Sequence, residues 1–342
     1  MRGGGINGKI RLTHGFKDIV SLENLLIAWK EFLPGKRKKN DVQTFSAQLL
    51  DNITLLNQDL ANHTYNHSPY QGFRINDPKP RQIHKSSVRD RLLHHAIHRM
   101  LYPFFDRTFV ADSFSCRIGK GTHKAINRFR SFGYRISRNN TRTCWVLKCD
   151  IRKFFENINH EVLLAIFKEY VLDDNVIWLL EKVIYSFSSA SGRGLPLGNL
   201  TSQLFVNVYM NEFDQFVKHK LKAEYFIRYA DDFVVLSQDK AWLEELLPKI
   251  SNFLSERLKL NIHPDKVFIK TLSSGVDFLG WVYFPDHRVL RTATKRRMMK
   301  KIKENLKSGT INSYRGLLSH GNAYNLRRSV VDEAYELERL PK

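Results

Sequence analysis

Between Ser21 and Leu33 the apolar residues Leu22, Leu25, Leu26, Trp29 and Phe32 recur at helical spacing, which predicts an amphipathic helix. A basic loop, GKRKKN, separates it from a second helix expected over about Val42 to Ala61. The stretch NHTYNHSPYQGFRINDPKPRQI is rich in turn residues and reads as strands or a hairpin. RDRLLHHAIHRMLYPFF returns to helical periodicity, with Pro103 as its expected end. TCWVLKCDI alternates as a strand does, and NHEVLLAIFKEYV is a helix with Asn159 as its N-cap. After the glycine-rich loop SSASGRGLPLGN comes a long helix, with Phe205, Tyr209, Phe213 and Phe216 on one side. EYFIRYADDFVVLS places two apolar strands around an acidic turn, the pattern of a hairpin. A helix over about Trp242 to Arg257, a short strand and VDFLGWVYF follow. The 61 residues after Trp281 read as basic and helical. The whole order is α+β: an antiparallel sheet backed by helices.

Charge sharpens this picture. Fifty-five Lys and Arg against 34 Asp and Glu give a formal +21. Such an excess suits a polyanionic partner, because basic side chains release counterions from a phosphate backbone. Cys116, Cys144 and Cys149 form no CxxC pair and read as buried free thiols in a reducing cytoplasm. The N-terminal MRGGGINGKIRLTHGF lacks the apolar core of a signal peptide. No apolar run approaches the roughly 20 residues that span a bilayer. The expectation is a cytoplasmic protein without a membrane partner.

The chemistry concentrates in carboxylates. Asp150 closes the strand LKCDI, while Asp231 and Asp232 sit at the tip of RYADDFVV. Adjacent acids between apolar strands repel each other unless a cation compensates. Hard divalent cations take carboxylate oxygens held on rigid elements, and nucleotidyl transfer uses two of them. The alternative, an acidic surface turn, fits poorly with flanking strands as apolar as FIRY and FVVLS.

YADDF resembles the catalytic signature of reverse transcriptases, and KCDIRKFFENINH resembles their earlier aspartate motif. DSFSCRIGKGTHKAI, GLPLGNLTSQLFVNVYMNEFD, LNIHPDK and FLGW resemble four further family blocks in the family's order, over about Tyr65 to Trp281. The resemblance implies a right-hand polymerase fold with fingers, an RRM-like antiparallel palm and a short helical thumb. Residues 1–62 would be an N-terminal helical extension, 63–143 fingers, 144–285 the palm with part of the fingers, and 286–342 a basic thumb. It implies Mg²⁺, two ions per site, with Asp150, Asp231 and Asp232 as ligands, completed by the backbone carbonyl of Ile151. Phe155 matches the aromatic gate that excludes a ribose 2′ hydroxyl, leaving Phe154 as the core member of the pair. Lys79 and Arg81 match residues that grip the incoming triphosphate, a task that suits the bidentate guanidinium. Lys266 matches the lysine that protonates pyrophosphate. Phe278, Leu279, Gly280 and Trp281 match the primer grip. In the basic tail, Met298, Ile302 and Leu306 form an apolar stripe, and Lys295, Arg296, Arg297 and Lys300 would track a duplex backbone.

Two departures narrow the family. Where the usual block is QGxxxSP, this chain has LGNLTSQ: Leu197 replaces glutamine beside Gly198, and Gln203 replaces proline. That variant is similar to the reverse transcriptases of diversity-generating retroelements. It implies error-prone copying at template adenines, and a template RNA and RNA/cDNA duplex with dNTPs as substrates. It also implies a small basic accessory protein forming a helical ring, all encoded by a bacterium or phage. Leucine beside the nucleotide supplies shape without a polar contact, so discrimination should fall. The rivals are an antiphage defence reverse transcriptase and an inactive RNA-binding scaffold. His94 and His98, at i,i+4, read as a helix face rather than metal ligands, and Gly119 and Gly121 as a template-contacting turn.

Overall fold

The structure is a computed structural model that describes residues 10–76, 80–304 and 308–330. The chain begins with α1 (Phe16–Val20), α2 (Leu22–Phe32), α3 (Asn40–Ala47) and α4 (Leu49–Ala61). The hairpin β1 (Gln71–Ile75) and β2 (Arg81–Lys85) precedes α5 (Val88–Asp106) and α6 (Thr122–Ile136). Strand β3 (Trp145–Asp150) leads to α7 (His160–Tyr170), α8 (Asp174–Ile184) and α9 (Leu200–Gln215). Next come β4 (Phe226–Tyr229), β5 (Asp232–Ser237), α10 (Lys240–Leu258) and β6 (Phe268–Thr271). The last elements are β7 (Val276–Phe278), β8 (Trp281–Tyr283), β9 (Arg288–Leu290), α11 (Thr292–Glu304) and α12 (Ser308–Leu318).

These elements form two compact units that the chain visits alternately. The first comprises residues 1–111, 151–220 and 250–262, and the second 112–150, 221–249 and 263–342.

The first unit is helical, apart from the β1–β2 hairpin. Ser21 caps α2 by accepting from the Asn24 amide; Asn159 caps α7 by accepting from the Val162 amide, as its position predicts. Two expectations need correction here. The helix expected over Val42 to Ala61 is split at Gln48, which leaves the helical region at φ −123°, ψ 43°. Asn52 Nδ2 donates to the Phe45 carbonyl across the break, so the interruption does not leave that oxygen bare. And α5 does not stop at Pro103 but runs through it to Asp106. Proline removes one helix hydrogen bond. Packing outweighs that loss: Leu101, Tyr102, Phe104 and Phe105 are all buried, Phe105 meets Phe167 edge-on at 5.5 Å, and Tyr102 donates to Asp106 at 3.0 Å. Burying one such ring contributes about 2 kcal/mol, comparable to the cost of the proline.

The second unit carries the antiparallel sheet β4-β5-β3-β6. Strand β3 pairs with β5 from Trp145↔Ser237 to Asp150↔Asp232. Helix α6 buries Ile126, Phe129 and Phe132 in the same core as Val146, Val234 and Leu236. The segment after Trp281 is not wholly helical: β8 and β9 join β7 in a three-stranded antiparallel sheet before α11 begins. Met298 and Ile302 of α11 are fully buried, as the apolar stripe predicts; Leu306 lies outside the described residues. Among the described residues, no helix is long and apolar enough to cross a membrane.

Candidate active site

Period-two alternation puts Lys148 and Asp150 on one face of β3, and antiparallel register sets Asp150 opposite Asp232. Asp231 occupies the two-residue link between β4 and β5, beside Ala230. Ala230 has φ 56°, a left-handed conformation that costs an L-residue roughly 1–2 kcal/mol. The strain is held by Arg228, a fully buried side chain whose Nη1 donates to the Ala230 carbonyl at 3.1 Å and Nη2 to Ser113 Oγ at 3.0 Å.

Two lysines sit on the carboxylates. Lys266 Nζ is 2.7 Å from Asp150 Oδ1, and Lys148 Nζ is 3.0 Å from Asp232 Oδ1. The Lys148 ammonium is what faces the buried Asp232 Oδ1. Burial pushes the Asp232 carboxyl up to about 7; Lys148 opposes the shift, while Asp231 and Asp150 add to it. Among the described residues, no three His, Cys, Asp or Glu side chains are gathered closely enough to hold a metal ion as they stand. The chemistry nevertheless fits a divalent cation: acid side chains on rigid strands, one of them a carboxyl raised by burial whose ionisation a cation would favour.

The other residues singled out in the sequence fall into two sets. Phe155 is half-buried, and Phe154 packs in the core against it. The carbonyl of Phe155 accepts from the Leu195 amide at 2.8 Å, tying it to the loop that carries Leu197 and Gly198. Leu197 is half-buried, Gly198 exposed and Gln203 half-buried. Arg81 is exposed at the start of β2, opposite Ile75, and Lys79 lies outside the described residues. Ile151 is buried and pairs with Ile262 in an isolated bridge.

In the second unit, the four residues matched to the primer grip differ in exposure. Phe278 and Trp281 are core side chains, 0% and 2% exposed, with Phe278 tilted against Phe129 at 5.4 Å. The accessible part is the turn between them, Leu279 and Gly280, with φ 50° and 86°, as a two-residue hairpin of twisted strands requires. Lys295, Arg296 and Lys300 are exposed and Arg297 half-buried; Lys300 pairs with Glu304 at 3.6 Å.

Reading the sequence singled out neither Lys148 nor Arg228. A signal existed for both: a basic residue at an alternating position inside an otherwise apolar strand must find an acid or a carbonyl. His94 is interior rather than on an open helix face, its pKa lowered to about 3 by burial, and His98 stacks on Tyr102. Cys144 and Cys149 are buried free thiols, but Cys116 is exposed.

Residues 75–283, more than half of the chain, match the family model described as reverse transcriptase (RNA-dependent DNA polymerase). The chain is 24% identical to Protein YkfC of Escherichia coli, over 75% of this chain and 76% of that protein. It is 23% identical to the group II intron-encoded protein LtrA of Lactococcus lactis, over 76% of this chain and 53% of LtrA. The chain thus spans about half the length of that second relative. Among solved structures, an apo telomerase from Candida tropicalis gives a TM-score of 0.48 at 13% identity, covering 68% of this chain and 59% of that one.

Proposed function

The chain belongs to the reverse transcriptase family, RNA-dependent DNA polymerases of α+β right-hand fold, and from that premise we propose that it is the mutagenic polymerase of a diversity-generating retroelement. The observation that carries the polymerase reading is the register of β3 on β5, which sets Asp150 opposite Asp232 with Asp231 in the adjoining turn. These three carboxylates, with the Ile151 carbonyl, would hold Mg²⁺. When bound there, Mg²⁺ would supply Lewis acidity to the primer 3′ hydroxyl and charge neutralisation to the departing pyrophosphate. Lys148 and Lys266 keep the aspartates in place, and Lys266 is within reach of the same carboxylates to deliver a proton to pyrophosphate. Phe155 would exclude the 2′ hydroxyl, and Lys79 and Arg81 would hold the triphosphate. The turn Leu279–Gly280 and the basic face of α11 would contact the template RNA and RNA/cDNA duplex.

What supports the retroelement reading is the LGNLTSQ block, with half-buried Leu197 where the family's usual glutamine would offer a hydrogen bond. Copying would be error-prone at template adenines and would serve to diversify a target gene, with an oligomeric helical accessory protein as partner. The test is to sequence cDNA made by the parent and by Leu197→Gln on the same RNA at matched dNTP levels. The expected result is fewer errors opposite adenine in the variant, by roughly three- to tenfold, the worth of one directed hydrogen bond. An active variant with an unchanged error spectrum removes Leu197 as the determinant. A parent without adenine bias on its native RNA sinks the retroelement assignment.

A further inference from the structure

The loop bearing Leu197 and Gly198 is held by a half-buried polar network that the catalytic aspartates do not account for. Its centre is Tyr70, just before β1. Tyr70 Oη accepts from Asn199 Nδ2 at 3.1 Å and lies 3.0 Å from Ser186 Oγ and 3.2 Å from His67 Nε2. Ser186 gives its only hydroxyl proton to the Val183 carbonyl at 2.6 Å and His67 Nδ1 gives its proton to the Ser68 carbonyl at 2.6 Å, so the single tyrosine proton has two acceptors within reach, Ser186 Oγ and His67 Nε2. Toward Asn199 it is the acceptor. The amide's other end, Asn199 Oδ1, accepts from Ser86 Oγ at 3.3 Å. Asn199 is thus clamped at both ends at the position just before α9, directly after Gly198, with its side chain spent on these partners rather than on capping the helix.

The far side of the network is anchored just as firmly. Asp90 of α5 is fully buried and accepts from Tyr65 Oη at 2.8 Å, the Ser68 amide at 3.1 Å and Ser87 Oγ at 2.6 Å. That pins the segment leading to Tyr70. Strand β2 completes the clamp: the His84 amide donates to the Leu197 carbonyl at 3.2 Å, and a Cβ on Gly198, at φ +115°, would meet Ile83 Cγ2 at 3.2 Å. The loop has one seat, and Tyr70 is where three chain segments meet to define it.

We propose that Tyr70 is a positioning residue for nucleotide selection, setting through Asn199 the placement of Leu197 and Gly198. The inference rests on the reading that this loop faces the incoming nucleotide. Burial pushes the Tyr70 hydroxyl up to about 12, so it remains a neutral donor and acceptor through the working pH range. A half-buried hydrogen-bond node of this kind orders a site without touching substrate, so its loss should appear in how well the nucleotide is chosen.

The experiment is single-nucleotide primer extension by the full chain on a defined RNA template, with Tyr70→Phe, Asn199→Ala, the double variant and Leu197→Gln. Template-RNA affinity and Tm are measured in parallel. Tyr70→Phe should raise the dNTP KM and the misincorporation ratio by roughly three- to tenfold, with kcat for the correct nucleotide and RNA affinity near the parent's. The double variant should be no worse than the poorer single one, because both cut the same bond. If Tyr70→Phe lowers Tm while KM and selectivity stay at parental values, Tyr70 only packs, and the proposal is overturned. Should Tyr70→Phe fold poorly, Ser186→Ala removes one hydrogen-bond partner of the hydroxyl and leaves the ring in place; it should move selectivity in the same direction, and no movement overturns the proposal. The control separates the two readings. Selection altered by Leu197→Gln but not by Tyr70→Phe defeats the network alone. Selection altered by neither means that the loop does not face the nucleotide, and the proposal falls with that reading.

Discussion

Lys148, inside β3, brings its ammonium to within 3.0 Å of Asp232 Oδ1 at the start of β5, on the face that also carries Asp150. The pair is diagonal across the two strands, the geometry in which a long side chain reaches a neighbour two residues from its own register partner, Val234. The lysine is an internal cation beside Asp232, on the strand that ends in Asp150. It lowers a carboxyl that burial alone would drive higher than about 7.

One consequence is a pH dependence of stability in the absence of divalent metal. The folded Asp232 holds its proton up to about 7, whereas an unfolded aspartate releases it near 4. Across that window the folded state binds more protons, so stability present at low pH is lost as pH rises from about 4 through 7. Its contribution should fall by on the order of 1 kcal/mol per pH unit. Thermal melts in chelator should show the decline in the parent and a shallower one in Asp232→Asn. Lys148→Met, which removes the opposing charge, should extend the decline above pH 7. Parallel curves for parent and Asp232→Asn would rule this account out.

Asp231→Asn is expected to abolish DNA synthesis while leaving RNA binding near the parent's, because it removes a carboxylate from the β4–β5 turn without cutting the strand pairing beside it. Primer extension in Mg²⁺ and a filter-binding titration check both halves. Near-normal extension would withdraw the metal-ligand assignment.

Phe155→Val should raise ribonucleotide incorporation relative to deoxynucleotide, on the order of tenfold or more, the effect of relieving a steric exclusion worth a few kcal/mol. Phe154 already fills the core position, so the variant should stay folded. An unchanged ratio in single-nucleotide extension assigns Phe155 to packing.

Replacing Lys295, Arg296, Arg297 and Lys300 together with Gln should weaken duplex binding and lower the slope of log affinity against log salt by roughly two to four, at about 0.9 for each phosphate no longer neutralised. Met298 and Ile302 stay in place, so α11 keeps its buried stripe. An unchanged slope makes this face of α11 merely solvated.

How much of this is legible in the chain itself follows from the range of each interaction. Caps at Ser21 and Asn159, the apolar strands around Asp231 and Asp232 and the buried stripe of Met298 and Ile302 are set by neighbours within a turn or a strand. Periodicity reads such features directly. The order of motifs likewise carries the family, because each block is a short run of residues. Pro103 misleads because the rule for proline is local, while the rings that hold α5 through it come from elsewhere in the first unit. The burial of Phe278 and Trp281 is hidden for the same reason: an aromatic beside a tight turn reads alike whether it faces solvent or Phe129. Asp150 and Asp232 are 82 residues apart, and only the register of β3 on β5 puts them side by side with Lys148 reaching Asp232, while the pairing of β6 on β3 brings Lys266 to Asp150. Tyr70 and Asn199, 129 residues apart, meet only because Asp90, Ser186 and β2 bring their segments together. Residue order alone sets which side chains could do the chemistry. Which of them share a hydrogen bond is decided by tertiary packing, since a buried polar group takes whichever partner the fold brings within about 3 Å.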